Sequence, residues 1–212
     1  MLVTQYRMHR EIRSFPSKLM YEGQLRDGRR SAPAGDTSLA CSFRGKRLNV
    51  PLRPYVVIDT QLLRSQEFRG SSGSYSNEIE SCLVAALCLA LVGHRSTAAM
   101  GIGVITPYSD QKRSIIGLLG ASPLTHAVEV DTVDGFQGRE KDVVLLCCVR
   151  ANKSGEAGFF GDVRRLNVAL TRAKHHMFVI GDLGTLSSAV PAFKSLSGDA
   201  RRRGCVVQLE LR

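Results

Sequence analysis

The sequence predicts an α/β fold, a mostly parallel sheet with helices on both faces, and three observations carry the prediction. Apolar runs of strand length alternate along the chain with longer segments of helical character, the order expected of strands joined by crossover helices. The strand-like runs Tyr55–Asp59 (YVVID), 101–105 (GIGVI) and 143–149 (VVLLCCV) are continuously apolar, as strands covered on both sides must be. With 212 residues, 43% of them hydrophobic, the chain can bury a large core without disulfide or metal staples. One domain over residues 1–212 is expected.

The first element is a short strand ending in Gln5-Tyr6-Arg7-Met8-His9. The spacing Ile12, Phe15, Leu19, Met20 that follows is the apolar face of a helix. Segments 28–54 and 64–75, rich in turn-forming residues, read as loops or insertions. Strands are expected at 55–59, 101–105, 127–130, 143–149 and 177–180. Helices are expected at 77–92, 108–119, 164–174 and 189–203, and 189–212 forms a C-terminal helix and strand. No internal repeat is visible.

Composition narrows the functional classes. Six cysteines occur without a C-x-x-C pair or a matching second half, so neither zinc nor a disulfide framework is indicated. Charged residues Arg7, Arg10, Glu11, Arg13 and Lys18 break up the first twenty positions, and the longest apolar stretch, 82–92, is too short to cross a bilayer. The expectation is an intracellular chain, cytoplasmic or nuclear, with no membrane partner. The formal charge is +10, and residues 1–60 hold eleven Lys/Arg against five Asp/Glu. Arg26, Arg29, Arg30, Arg44, Lys46, Arg47 and Arg53 surround the 28–54 stretch, either to meet a phosphate backbone or as a solvated loop.

Four constellations fall at strand ends, where open α/β sheets bind ligands. In QYRMH, an arginine can grip phosphate and a tyrosine can offer a flat face to a base; the alternative is a surface Arg beside a core Tyr. In Val104-Ile105-Thr106-Pro107-Tyr108 a strand empties into a helix N-terminus, suited to phosphate or simply capped by Thr106 or Ser109. The stretch 131–142, DTVDGFQGREKD, sets two glycines among polar residues, so backbone can approach a ligand and Glu140 can accept from a ribose hydroxyl pair. Its other reading is a salt-bridged turn with Arg139 and Lys141 facing Asp134 and Asp142. Last, 164–174, RRLNVALTRAK, buries Leu166, Val168, Ala169, Leu170 and Ala173 on one side and either delivers Arg172 to a γ-phosphate or presents a basic solvated face.

In this order QYRMH, ITPY, VDGFQGREKD and RRLNVALTRAK closely resemble the second RecA-like domain of superfamily 1B helicases, the group of the nonsense-mediated decay helicase, senataxin and aquarius. The resemblance runs from Leu2 to about Leu186. It implies a RecA-like P-loop NTPase fold in which Arg7 (motif IV) and Arg172 (motif VI) are catalytic arginines reaching the triphosphate of ATP between two lobes. It further implies that Glu140 touches the nucleotide sugar, with Gln137 and Gly138 in the same loop, and that Tyr6 lies beside the adenine. Thr106, Tyr108 and Thr132 would contact a nucleic-acid backbone, with Asn77 of SYSNEIE near that strand, and translocation would run 5′ to 3′. Arg10 stands where the family usually has proline, which bears on the start of the first helix.

No G-x-x-x-x-G-K-[ST] occurs: Gly45-Lys46 is followed by Arg47 and lacks the first glycine, so the chain has no Walker A loop of its own. No Asp-Glu pair ends an apolar strand to hold magnesium. The expected protein is the C-terminal lobe of an ATP-dependent RNA or DNA helicase, inactive without an N-terminal RecA-like lobe, in cis or in trans, that seats ATP and Mg2+. The alternative is a non-catalytic nucleic-acid or helicase-binding module that keeps the fold. Met1 directly before the motif IV strand suggests a fragment, a split gene product or a truncation.

Overall fold

Continuously apolar runs at the middle of the sequence become the middle of a six-stranded parallel sheet. The computed structural model describes residues 3–28, 37–120 and 127–209. Within them the sheet comprises β5 (Tyr55–Asp59), β8 (Ile102–Thr106), β9 (Val128–Thr132), β10 (Lys141–Cys147), β11 (Ala173–Gly181) and β12 (Val206–Gln208) in the order β12-β5-β11-β10-β8-β9. Every neighbouring pair is parallel. Three small pairs flank it: parallel β1 (Thr4–Gln5) with β2 (Arg26–Asp27), and the antiparallel hairpins β3 (Thr37–Phe43) with β4 (Lys46–Leu52) and β6 (Phe68–Arg69) with β7 (Tyr75–Ser76).

Because side chains alternate across a strand, each central strand feeds two cores. Tyr55, Val57, Val144, Leu146, Met177 and Val179 pack on one face with α1 (Arg10–Met20), α4 (Val163–Leu170), α5 (Leu183–Ala189) and α6 (Pro191–Arg202). Val56, Ile58, Val143, Leu145, Phe178 and Ile180 pack on the other with α2 (Glu78–Gly93) and α3 (Ser109–Gly120). Among the described residues no helix is long and apolar enough to cross a membrane, and no group of three or more His, Cys, Asp or Glu is placed to hold a metal. All six cysteines are free and five are buried.

Several sequence expectations need correcting. Segment 28–54 is not simply a loop. Leu39, Cys41 and Phe43 on β3 and Val50 and Leu52 on β4 are buried while intervening residues face outward, and β3 packs on α2. The turn is two residues, Arg44 and Gly45, both at positive φ (+50° and +76°), the geometry that matches hairpin twist. This cover explains why α2 can be apolar nearly all round. Arg29 and Arg30 lie outside the described residues. Segment 64–75 likewise forms most of a short hairpin. The 164–174 helix stops at Leu170, since Ala173 is already paired in β11, and Tyr108 precedes α3 instead of starting it. The 189–203 helix is α6 alone, preceded at Val190 by a break and by the unforeseen α5, which Asp182 caps by accepting from the Thr185 N–H at 2.9 Å. Arg10 does begin α1, because the His9 ring accepts from the Glu11 N–H at 3.2 Å.

Candidate functional site

β10 and β11 begin side by side, with Lys141 opposite Ala173. The residues just before them, Glu140 and Arg172, therefore arrive at the same edge of the sheet. A third motif joins them through Gln5, whose Oε1 accepts from the backbone N–H of Arg7 (2.8 Å) and Met8 (2.7 Å) while its Nε2 donates to Met8 O (2.8 Å) and Asp27 (2.6 Å). The turn so formed is docked on β11 by the His9 N–H, which donates to Lys174 O at 2.8 Å.

At that edge Arg7 donates through Nε to the Glu140 carboxylate and through a terminal nitrogen to Thr171 O at 3.1 Å. Lys174 approaches the other Glu140 oxygen at 3.2 Å and Asp142 at 3.8 Å. The Arg7 hydrogen bond, supported by Lys174 against partial desolvation, holds the Glu140 carboxyl below the usual range. Arg172 folds back on its own turn, donating to Val168 O (2.9 Å), Thr171 Oγ1 (3.2 Å) and Arg139 O (3.4 Å). Burial first, then the Arg7 charge, pushes its pKa down, and Glu140 opposes them. Tyr6 stands 69% exposed with its ring across residue 28, where any side chain larger than glycine would collide with it.

Gln137 and Gly138 lie exposed in 133–140, the link that leaves the carboxyl end of β9 and returns past β8 to the amino end of β10. Phe136 anchors this crossover in the core, over Gly103 of β8, where a Cβ would meet the ring at 2.7 Å. The salt-bridged reading holds in kind but with other partners. Arg139 meets Glu129, Asp131 and the Gly135 carbonyl, its guanidinium 4.8 Å from the Phe136 ring centroid, and Lys141 meets Glu129 at 2.8 Å. Asp142 instead accepts from the Gly101 N–H at 2.9 Å.

The remaining expected residues stand at the opposite end of the sheet. Thr106 and Thr132 are paired at the carboxyl ends of β8 and β9, roughly five residues of 3.3 Å rise from the arginines. Thr132 is half-buried and its hydroxyl accepts from the Gly135 N–H at 3.1 Å. The Tyr108 hydroxyl accepts from the Phe159 N–H (3.3 Å) and Arg150 (3.5 Å), and its ring stacks edgewise on Tyr75 at 5.3 Å. Thr106 and Asn77 are each 0% exposed. The Thr106 hydroxyl has no partner among the described residues, and the Asn77 side chain caps α2 and donates to Val149 O at 3.0 Å. Neither presents a surface to a strand.

Sequence reasoning missed three residues. Lys174 is the second cation on Glu140. Arg150, 3% exposed, donates to Glu67 at 3.0 Å and lies 4.2 Å from the Tyr75 ring centroid. Glu80, fully buried, accepts from the Val149 N–H (2.8 Å), the Cys147 thiol (3.3 Å) and the Thr60 hydroxyl (3.3 Å), and burial pushes its carboxyl up to about 7. A glutamate inside the apolar run of α2 was the available signal for the last.

Comparison with solved structures gives the class of fold. The crystal structure of the C-terminal domain of a possible DNA helicase from Lactobacillus plantarum WCFS1 superposes with a TM-score of 0.50 at 13% identity, covering 96% of this chain and 98% of that one. The family model described as "AAA domain" (AAA_12) matches residues 1–184, and the chain belongs to that family. Among its relatives, the "Probable helicase MAGATAMA 3" of Arabidopsis thaliana is 38% identical over 96% of this chain and 24% of its own length. The "Putative regulator of nonsense transcripts 1" of Takifugu rubripes is 37% identical over 98% and 18%, and the human "Probable helicase senataxin" 36% over 98% and 7%. The chain thus spans a quarter or less of the curated relatives it matches. The resemblance to the second RecA-like domain of superfamily 1B helicases holds over nearly the whole chain.

Proposed function

We propose that this chain is the C-terminal lobe of an ATP-dependent helicase, with Arg7 and Arg172 as its arginine fingers. The observation that supports this reading most is the meeting of Arg7, Glu140 and Arg172 at one sheet edge, although 133 residues separate Arg7 from Glu140. The residues fit a nucleoside triphosphate in part. Two guanidiniums match phosphate oxygens, an ionised Glu140 matches ribose hydroxyls and the exposed Tyr6 ring matches a base. ATP supplies the hydrolysable phosphoanhydride, and its cradle and Mg2+ belong to an N-terminal RecA-like lobe, because this sequence has no phosphate-binding loop.

In this reading the two arginines are stowed until the lobes close. Arg7 exchanges Glu140 for phosphate, and Lys174 keeps Glu140 neutralised as it leaves. Arg172, already partly desolvated by burial, needs only to release two backbone carbonyls and the Thr171 hydroxyl. Thr132, Tyr108 and the exposed backbone beside them face single-stranded RNA or DNA at the other end of the sheet, and the 133–140 crossover joins the two ends covalently. Closing of the cleft around ATP therefore changes the grip on the strand.

The test is ATP hydrolysis by the 212-residue chain alone and by the chain joined to an N-terminal RecA-like lobe. No turnover alone and strand-stimulated turnover together are expected; turnover by the isolated chain comparable to a complete helicase overturns the reading. A joined protein that binds strands but hydrolyses nothing with either arginine intact favours the non-catalytic binding module.

A further inference from the structure

We infer that the β6–β7 hairpin carries a base-stacking site for single-stranded nucleic acid, with Phe68 as its platform and Arg64 and Lys153 as its cations. This rests on the strand-binding part of the proposed function and extends it to Phe68, which lies outside every quoted motif. Phe68 is 69% exposed, the equal of Tyr6 among the exposed aromatic residues described, and among the described residues it touches no other ring and no cation. A phenylalanine has no polar tip to justify such exposure.

The register explains the exposure. Phe68 pairs with Ser76 and Arg69 with Tyr75, so the two pairs point to opposite faces of the hairpin. The Arg69–Tyr75 face is spent on the scaffold: Tyr75 lies 5.3 Å from the Tyr108 ring and 4.2 Å from the Arg150 guanidinium. Phe68 is left on the outward face.

The hairpin is also held rigidly. Glu67, next to Phe68, accepts from Arg150 (3.0 Å), the Ala151 N–H (2.8 Å) and Asn152 (2.9 Å). Its tip is tied to the start of α3, where Ser72 donates to Asp110 at 3.0 Å and the Asp110 N–H donates to Ser74 at 3.2 Å. A ring carried on a fixed backbone needs no ordering of the chain on stacking, and because every base has a π-face the contact tolerates any sequence.

Charge selects the occupant. Arg64 and Lys153 are exposed, and neither forms an ion pair among the described residues. Lys153 follows Asn152, which is bonded to Glu67 beside Phe68, and Arg64 lies four residues before Phe68, whereas Arg69 turns to the other face, 5.7 Å from the Tyr75 ring centroid. An exposed ring on a hairpin whose nearest exposed charges are cations suits a polyanion with flat bases better than an apolar protein surface.

The chain has no tryptophan, so Phe68→Trp introduces a single indole reporter. Titration with oligouridylate or oligothymidylate should quench its fluorescence, whereas an abasic oligomer of equal length and charge should not. Phe68→Ala should weaken binding to the base-bearing oligomer roughly tenfold with an unchanged salt slope. Replacing Arg64 or Lys153 by Gln should lower that slope by about 0.7 each. Equal quenching by the abasic oligomer, or unchanged affinity of Phe68→Ala, overturns the inference while strand binding itself stands. Loss of contact with an N-terminal lobe in Phe68→Ala at unchanged strand affinity also overturns it and makes the ring a protein contact. A wild-type chain that binds no oligomer removes both this site and the strand-binding reading beneath it.

Discussion

Arg7 and Arg172 are held in different ways, and the difference sets what each substitution does. Arg7 is partly exposed and shares Glu140 with Lys174. Exposed ion pairs contribute little, so Arg7→Ala should change the stability of the isolated chain by under about 0.5 kcal/mol. Arg172 is half-buried and satisfies two backbone carbonyls and a hydroxyl around the end of α4. Its removal leaves those acceptors unmatched, and Arg172→Ala should lower stability by about 1–3 kcal/mol, read from thermal or denaturant unfolding. In the joined two-lobe protein both should reduce ATP turnover by about 10³-fold or more. Lysine should rescue neither, since an ammonium cannot reproduce the fork of a guanidinium. An Arg172→Ala chain as stable as the parent would show that the stowed geometry carries no weight.

The junction between α2 and β10 shows how an element depends on a buried charge site. Val149 sits at φ +73°, a conformation β-branched residues avoid at a cost of about 1–3 kcal/mol. The side chains of Asn77 and Glu80 take its carbonyl and its N–H, and so fix the turn that delivers Arg150 to Glu67. Burial raises the Glu80 carboxyl to about 7, above its unfolded value of 4.5. Between roughly pH 4.5 and 7 the folded state then binds more protons than the unfolded, and stability falls as pH rises through that window. Glu80→Gln should flatten this slope, measured by denaturant unfolding from pH 5 to 8; a slope unaltered in the variant would locate its origin elsewhere. Below that window the sign reverses, because Glu140, Asp131 and Asp199 have lowered pKa values and lose their stabilising charge on acidification. The same element explains a misreading of sequence. The period-two pattern of β3 and β4 is short and set among turn formers, yet the apolar circumference of α2 required a cover on its outer side.

Across the whole molecule, one sheet holds the two proposed sites apart by the length of its strands. The proposed nucleotide edge lies at the amino ends of β10 and β11, and the proposed strand edge at the carboxyl ends of β8 and β9. Oligonucleotide affinity should fall with salt at a log–log slope near −2 to −3.5, as three to five neutralised phosphates would give. Thr132→Val should lower affinity without changing that slope, since it removes a hydroxyl and no charge, and Thr132→Ser should restore it. A slope near zero would take the strand away from this face. Arg44, Lys46 and Arg47 at the β3–β4 turn form no ion pair among the described residues, so their joint replacement by Gln reports whether the hairpin adds to the slope.

Local chemistry along the chain was enough to define the parallel sheet, its covering helices and the motifs bearing Arg7, Glu140 and Arg172, because apolar period and residue type are written residue by residue. Proximity is not written that way. Only folding decided that Asn77 and Thr106 are interior, that Lys174 shares Glu140 with Arg7, and that the motifs divide between two sheet edges. Strand register and helix packing set those distances, and both arise from contacts between segments far apart in sequence.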